Sequence, residues 1–454
     1  MKIYFIAIGG SVMHNLAIAL KMKGYEVQGS DDEIIEPARS NLSKYNLLPE
    51  TEGWNENRIT ENIDAVILGM HAKPENPELL KAVDLGLKIY SYPEFLYEQA
   101  KNKTRIVIAG SHGKTSITAM ILHILKKNNI DADYMIGAAL PGYELTVRLT
   151  EKAPIIILEG DEYPDSTLNQ QPKFLVYRPH LALISGISWD HINVFPTFEN
   201  YVEQFEKFAS LIPVNGTIIY NNEDSQVADI VSNLKSNIHK IPYYTPSFKI
   251  DKHQTFFIDR NQEIPLQIFG KHNLQNLAGA IEVCKALGIS EDKCLASIGD
   301  FRGAAKRLEL LDQNNEAAVF KDFAHSPSKL KATIAAVKEQ FPDRRLIACF
   351  ELHTYSSLNS IFIKEYEGTM KEADIKIIFF NEHTFNLKQL VPYDPDFVRE
   401  SFGDSSIQVI TDTNVLDEYL RSVKWKKSNL LMMSSGNFGG LDFKELSTFV
   451  MKNV

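Results

Sequence analysis

The densest run of reactive residues in the chain is Gly110-Ser111-His112-Gly113-Lys114-Thr115-Ser116. A glycine turn followed by Lys and Thr suits a phosphate chain. Backbone N–H groups ring the oxygens, the Lys114 ammonium reaches the terminal phosphates, and the Thr115 hydroxyl can ligate Mg²⁺. The spacing falls short of the full phosphate-loop pattern, because Ile108 stands where its first Gly belongs. Two acidic clusters could complete such a site: Glu159-Gly160-Asp161-Glu162 and Asp190-His191. Carboxylates suit Mg²⁺, which prefers oxygen; a histidine such as His191 is an unusual ligand for so hard an ion.

The elements around these residues decide whether they can meet. Ile106–Ala109 is a β-branched apolar run and predicts a buried parallel strand. From Lys114 a helix is predicted, with Ile117, Met120, Ile121, Ile124 and Leu125 on one face. Strand, glycine turn and helix aim a helix N-terminus at an anion. Ile155–Leu158 and His180–Ile187 read as two more strands, each running into one acidic cluster. Both clusters then lie on the rim where open α/β sheets place ligands.

Residues 1–103 alternate strand and helix: strands Lys2–Ile8, Tyr25–Gly29, Ala65–Leu68 and Lys88–Tyr90, with a helix Ser11–Lys23 capped by Ser11 and ended by Gly24. This predicts a doubly wound parallel sheet. The turn after the first strand keeps only Gly9 of the dinucleotide fingerprint, with Asp31 where a ribose-binding acid would sit. Such a turn can seat a diphosphate, and the broken fingerprint argues against a nicotinamide-dependent oxidoreductase. Residues 104–300 form a second α/β unit with a β-rich insert over Thr245–Ile268 and a helix from Gly270 through Leu287. From 301 the pattern restarts: strands Ala318–Asp322, Leu346–Phe350, Ile375–Phe380, Ile407–Ile410 and Asn429–Met433, with a helix Pro327–Gln340. Arg307 lies at that joint and could swing onto phosphates on domain closure.

A chain of 454 residues exceeds one ordinary core. The net charge of -10 speaks for solubility and against nucleic acid as a partner. Cys284, Cys294 and Cys349 are odd in number and form no CxxC pair, which fits a reducing, cytoplasmic setting. No apolar run reaches membrane-spanning length, and Met1–Ile8 reads as a strand rather than a signal peptide, so no membrane insertion is expected.

Taken in order, Ile8-Gly-Gly-Ser11, the Gly110–Ser116 loop, Glu159–Glu162, Asp190-His191, His272-Asn273-Leu-Gln-Asn276, Arg307 and Asp322-Phe-Ala-His325 resemble the Mur ligases over essentially the whole length. That family forms amide bonds with ATP in peptidoglycan synthesis, and the shortened loop is its own form. The resemblance implies α/β architecture in three domains: residues 1–103, Rossmann-like, for the UDP-sugar; 104–300, the ATPase; and 301–454, Rossmann-like, for the amine substrate. It implies ATP and Mg²⁺ as cofactors. Thr115 and Glu159 would hold one metal, and Glu159 with His191 a second. Gly110, Ser111, His112, Gly113, Lys114 and Ser116 would line the phosphates. His272, Asn273 and Asn276 would meet adenine and Asp322 the ribose, with Arg307 and His325 reaching the phosphates on closure. Some relatives carry a carbamoylated lysine on the helix after the Asp-His motif; that place falls near Glu206, so none is expected.

The likeness is greatest to the branch that uses UDP-N-acetylmuramate. Gly9, Gly10, Ser11, Asp31 and His71 would serve that sugar nucleotide, and Glu351, His353 and Asn437 the acceptor. Two acceptors are open: a murein tripeptide, L-alanyl-γ-D-glutamyl-meso-diaminopimelate, or free L-alanine. Glu159–Tyr163 and Ser434–Gly440 resemble segments of the tripeptide ligases. Thr354 stands where alanine ligases carry the Arg of a Pro-His-Arg-Tyr pattern, while His353 and Tyr355 fit that pattern. The expectation is the tripeptide, with L-alanine as the alternative.

Overall fold

Short β-branched runs separated by amphipathic helices give parallel sheets throughout this chain. A computed structural model describes residues 1–454 except His71, Thr167, Leu168, Gln170, Ser236 and Asn261. The expected contact through His71 therefore lies outside the described residues. The fold divides into two compact units: Met1–Ile187 with Val202–Tyr243 and Glu282–Ile289, and Ser188–Tyr201 with Tyr244–Ile281 and Ser290–Val454.

The first unit carries two sheets. One has four parallel strands in the spatial order Glu26–Ser30, Lys2–Ile6, Ala65–Leu68, Ile89–Ser91. The helix Ser11–Met22 follows its first strand. Gly10, not Ser11, is its N-cap: Gly10 has extended backbone and its carbonyl takes the His14 N–H at 3.0 Å, so Ser11 is already helical. Gly24, at φ +95°, ends the helix as predicted. The second sheet runs His239–Tyr243, Thr217–Asn221, Leu181–Ile184, Thr104–Ala109, Ile155–Glu159, Ala132–Met135, Val147–Arg148. All its pairings are parallel but the last. Thr104–Ala109 is thus flanked by the two strands that lead into the acidic clusters.

The second unit has a three-stranded antiparallel sheet, Phe248–Asp251, Gln254–Asp259 and Gln262–Leu266, which is the predicted β-rich insert. It is pinned to the helix Pro327–Gln340: Thr255 Oγ1 donates to Gln340 Oε1 at 2.8 Å and Gln340 Nε2 donates to the His253 carbonyl at 2.6 Å. A six-stranded sheet follows in the order Glu309–Gln313, Ala317–Asp322, Ser428–Met433, Arg345–Glu351, Ile375–Phe379, Gln408–Ile410, antiparallel only at its first pair. Side chains alternate across it: Ala318, Phe320, Ala348 and Phe350 face one core, Ala317, Val319, Ile347 and Cys349 the other. All three cysteines are free and buried. No described helix is long and apolar enough to cross a membrane.

Candidate active site

The loop after Thr104–Ala109 is shaped by its neighbour strand. Gly110 sits at φ +130°, and a Cβ there would come within 2.1 Å of Ser185 Oγ, so no side chain fits. The Ser111 N–H donates to the Gly186 carbonyl at 2.9 Å, and Ser185 Oγ donates to the carbonyls of Ala109, at 3.2 Å, and His112. Gly113, at φ +82°, is the N-cap of the helix Lys114–Lys127, and it caps without a side chain. The first-turn N–H groups of a fourteen-residue helix therefore open onto this loop.

Lys114 and Thr115 each meet a carboxylate from the Glu159–Glu162 cluster. Lys114 Nζ donates to Glu162 Oε2 at 2.5 Å and to the Gly110 carbonyl at 2.7 Å. Burial would lower the Lys114 pKa, but Glu162 and Asp161 outweigh it and raise it, so the ammonium stays charged. Thr115 Oγ1 donates to Glu159 Oε1 at 2.7 Å, and Gly137 N–H donates to Glu159 Oε2 at 2.7 Å. Asp161 pairs with Lys173 at 2.7 Å. A hydroxyl beside a buried carboxylate is a hard-oxygen donor set that fits Mg²⁺. Ser116 is buried in the first helical turn. The sequence pointed to this acidic cluster; which acid meets Lys114 was not readable from spacing.

Within the second unit, a further group of the expected residues lies together. Asp190 is 3% exposed. Its Oδ1 accepts the His191 N–H at 2.8 Å and faces Ser356 Oγ at 3.4 Å, while Oδ2 lies 3.6 Å from His325 Nε2 and 3.7 Å from Lys329 Nζ. The last two separations are those of ion pairs rather than hydrogen bonds. Burial would raise the Asp190 pKa, but His325, His191 and Lys329 outweigh it and hold the carboxyl well below its ordinary range. His191 has a left-handed backbone, φ +56°, which turns the chain sharply after Asp190. Trp189 packs edge-on against Phe362 at 5.7 Å and anchors the segment in the unit's core.

His325 is oriented from three sides. Its Nδ1 bonds the Phe323 carbonyl at 2.8 Å, its ring meets Phe323 edge-on at 5.0 Å, and its own carbonyl accepts Tyr366 Oη–H. Burial and Lys329 lower its pKa against the pull of Asp190. The Arg307 guanidinium stacks on Phe323 at 4.7 Å. Asp322 is buried, with the Leu308 N–H on Oδ2 and Thr333 Oγ1 3.5 Å from Oδ1, and burial raises its pKa. Its carboxylate thus clamps the backbone next to Arg307. At the helix Lys271–Ala286, Asn273 Nδ2 donates to the Phe269 carbonyl at 3.0 Å, and Asn276 is buried. Surrounding atoms push the His272 pKa down to about 4, so its imidazole is neutral near pH 7.

Glu351 ends its strand buried, accepting Ser434 Oγ–H and the Phe438 N–H, the latter at 2.9 Å; burial raises its pKa against these bonds. His353 Nδ1 lies 3.2 Å from Ser435 Oγ. A Cβ on Gly436 would come within 2.6 Å of the His353 ring, so glycine lets backbone and imidazole stack. Asn437 is exposed and its Oδ1 caps the Gly440 N–H at 3.2 Å. Glu351, His353 and Ser434–Asn437 therefore form one surface. One residue of this surface that sequence reasoning missed is Lys388. Its Nζ bonds the His353 carbonyl, a contact that no spacing pattern announces.

In the first unit, Gly9 N–H donates to Asp31 Oδ2 at 2.7 Å, so this acid braces the turn. Burial raises the Asp31 pKa to about 6. Gly10 accepts from His14 Nδ1 at 2.8 Å, and Ser11 is exposed at the helix start.

Comparison with known proteins bears on the same regions. Residues 2–104 match the Mur ligase family, catalytic domain, and residues 108–284 the Mur ligase middle domain. The chain is 32% identical over 390 residues to UDP-N-acetylmuramate–L-alanine ligase of Caldicellulosiruptor bescii, covering 83% of each. It is 29% identical to the Clostridium tetani enzyme of the same name, covering 100% of this chain and 93% of the other. Among solved structures, a murein peptide ligase of Psychrobacter arcticus superposes with TM-score 0.68 at 24% identity, covering 100% and 99%. A UDP-N-acetylmuramate–alanine ligase of Thermotoga maritima superposes with TM-score 0.71 at 20% identity, covering 100% and 98%.

Proposed function

Because the chain belongs to the Mur ligase family of ATP-dependent carbon–nitrogen ligases, we propose that it joins UDP-N-acetylmuramate to L-alanyl-γ-D-glutamyl-meso-diaminopimelate. The sugar's lactyl carboxylate attacks the γ-phosphorus of ATP; an O–P bond forms and the bond to the β-bridging oxygen breaks, releasing ADP. The peptide's alanyl nitrogen then attacks the acyl carbon, loses a proton, and phosphate leaves. Phosphoryl transfer needs positioning and charge neutralisation above all. Lys114 supplies a fixed positive charge beside the helix N-terminus. Thr115 and Glu159 would hold Mg²⁺, which neutralises phosphate charge when bound, with His191 completing a second metal position. Arg307 and His325 would contact phosphates, and His272, Asn273 and Asn276 the adenine. An alanyl amine, with a pKa of about 8, is partly neutral at pH 7 without a dedicated base.

One observation carries the choice of acceptor. A site for free alanine must pair its carboxylate with a fixed cation close to the reacting amine. Thr354 occupies the position where the alanine-ligase pattern has arginine, and the neighbouring arginines in sequence are committed elsewhere. Arg344 is buried on Asn429 Oδ1 at 3.2 Å and the Asn315 carbonyl at 2.9 Å, and Arg345 bonds Ser428 Oγ at 2.9 Å. Both sit at the start of the strand that ends at Glu351, about 20 Å away by strand rise. Of the three glycines of Ser434–Gly440, Gly436 and Gly439 close onto His353 and Thr413, and Gly440 faces open space.

L-alanine stands as the second reading, favoured by the names of the relatives that are 29% and 32% identical. The test is kcat/KM for each acceptor at saturating ATP and UDP-N-acetylmuramate. The tripeptide is expected to exceed L-alanine; the reverse order overturns the proposal.

A further inference from the structure

Lys388 is an ammonium held in place over the acceptor surface. It follows the short helix Glu382–Leu387, which Asn381 caps through its side-chain oxygen on the Thr384 N–H at 2.9 Å. Phe385 pins that helix to the core, its ring 5.5 Å from Phe380 and 5.0 Å from Tyr393. From there Lys388 Nζ donates to the His353 carbonyl and stands 4.8 Å over the Tyr355 ring. It is half-buried, and no described carboxylate lies within ion-pairing distance of it, in contrast to Lys338 and Lys376 of the same unit, which pair with Asp374 and Asp404.

A carbonyl and an aromatic face fix an ammonium's position without neutralising it. Removing it partly from water without an anion is a cost that a bound carboxylate would offset. The chain thus presents a positioned positive charge beside His353 and Tyr355; the Glu351 carboxylate also acts on it, but lies beyond ion-pairing distance and is engaged by Ser434 and the Phe438 N–H. Resting on the tripeptide reading above, we infer that Lys388, with Tyr355 beneath it, binds a carboxylate of the acceptor peptide remote from its attacking amine, and so selects extended acidic peptides. The tripeptide carries such carboxylates; free L-alanine has only the one next to its nitrogen.

The test compares the full-length parent enzyme with Lys388→Met, which keeps length and loses charge, and Lys388→Arg, which keeps charge. Each is assayed with L-alanyl-γ-D-glutamyl-meso-diaminopimelate and with the same peptide amidated at the glutamyl α-carboxylate and at both diaminopimelyl carboxylates. Lys388→Met is expected to raise KM for the tripeptide on the order of tenfold or more. Its kcat and its KM for ATP should stay within about twofold of the parent. The amidated peptide should show the parent's weakened KM with or without the lysine, and Lys388→Arg should recover most of the loss. An unchanged tripeptide KM in Lys388→Met overturns the lysine's role while leaving the acceptor reading standing. A fall in kcat with ATP KM also altered marks a structural defect, and overturns the inference if Lys388→Arg shares it. A parent enzyme that prefers L-alanine overturns the acceptor reading itself.

Discussion

Lys114 Nζ and Glu162 Oε2 lie 2.5 Å apart, and both side chains are shielded from solvent, at 13% and 1% exposure. The lysine expected to face phosphate is therefore held by a fixed acid and by the carbonyl of its own loop's first glycine. Glu162 restrains Lys114 in one rotamer and keeps it protonated. Lys114→Ala should remove the charge aimed at the terminal phosphate and lower kcat/KM about a thousandfold or more. Glu162→Gln leaves that charge in place with a weaker restraint and should cost about tenfold, chiefly in kcat. Steady-state kinetics of the two variants check the order; equal losses would mean that the carboxylate is as necessary as the ammonium.

His191 follows Asp190 on a left-handed backbone and is half-buried. If it ligates metal, His191→Ala should raise the Mg²⁺ concentration for half-maximal rate several-fold and leave the acceptor KM unchanged. Superimposable Mg²⁺ titrations of parent and variant would reduce His191 to a turn residue.

Asp31 sets a pH dependence of stability. Its folded-state pKa is raised from 3.8 to about 6, with burial as the main cause. The folded protein therefore holds this proton more tightly than the unfolded chain, and stability falls as pH rises between about 4 and 6. Above that window the buried carboxylate is a standing cost. Asp31→Asn, whose amide oxygen can still accept from Gly9, should flatten this part of the profile and raise Tm at pH 7. Thermal unfolding at pH 4 and pH 7 reads the effect; a Tm lowered at both pH values contradicts it.

Arg344 separates structure from substrate binding. Arg344→Ala removes the bonds to Asn429 Oδ1, which keeps the Ala318 N–H, and to the carbonyl of exposed Asn315, at a cost of about 1 kcal/mol in stability. The acceptor KM should not move. A raised KM for L-alanine in this variant would restore the arginine reading for free alanine.

The strand, glycine turn and helix around Lys114 were legible because three local signals agree: a β-branched run, a glycine break and a 3.6-residue apolar period from Lys114. The β-rich insert over Thr245–Ile268 was legible as well, and three antiparallel strands lie there. Ser11 misled as a cap because serine is favoured there, whereas Gly10 already supplies the extended backbone and the first helical acceptor. The strand Thr217–Asn221 and its partner His239–Tyr243 went unread, since five-residue runs bounded by Asn and Pro look like loop. Side-chain pairings could not be read at all. Nothing in spacing says that Glu162 rather than Asp161 meets Lys114, or that Lys388 folds back onto His353 across thirty-five positions.

One of the two edge strands of the six-stranded sheet, Glu309–Gln313, runs against its neighbour and slips register between Leu310 and Asp312. An open strand edge is a row of unpaired amides and carbonyls on which another chain can crystallise into a shared sheet. Here the last ladder is five residues long, kinked, and studded with Glu309 and Asp312. Those same carboxylates would confront their own copies in any edge-to-edge pairing. The chain can thus expose Leu310 at 43% of its surface without offering a seam for fibre growth, and straightening the kink or neutralising the two acids would open one.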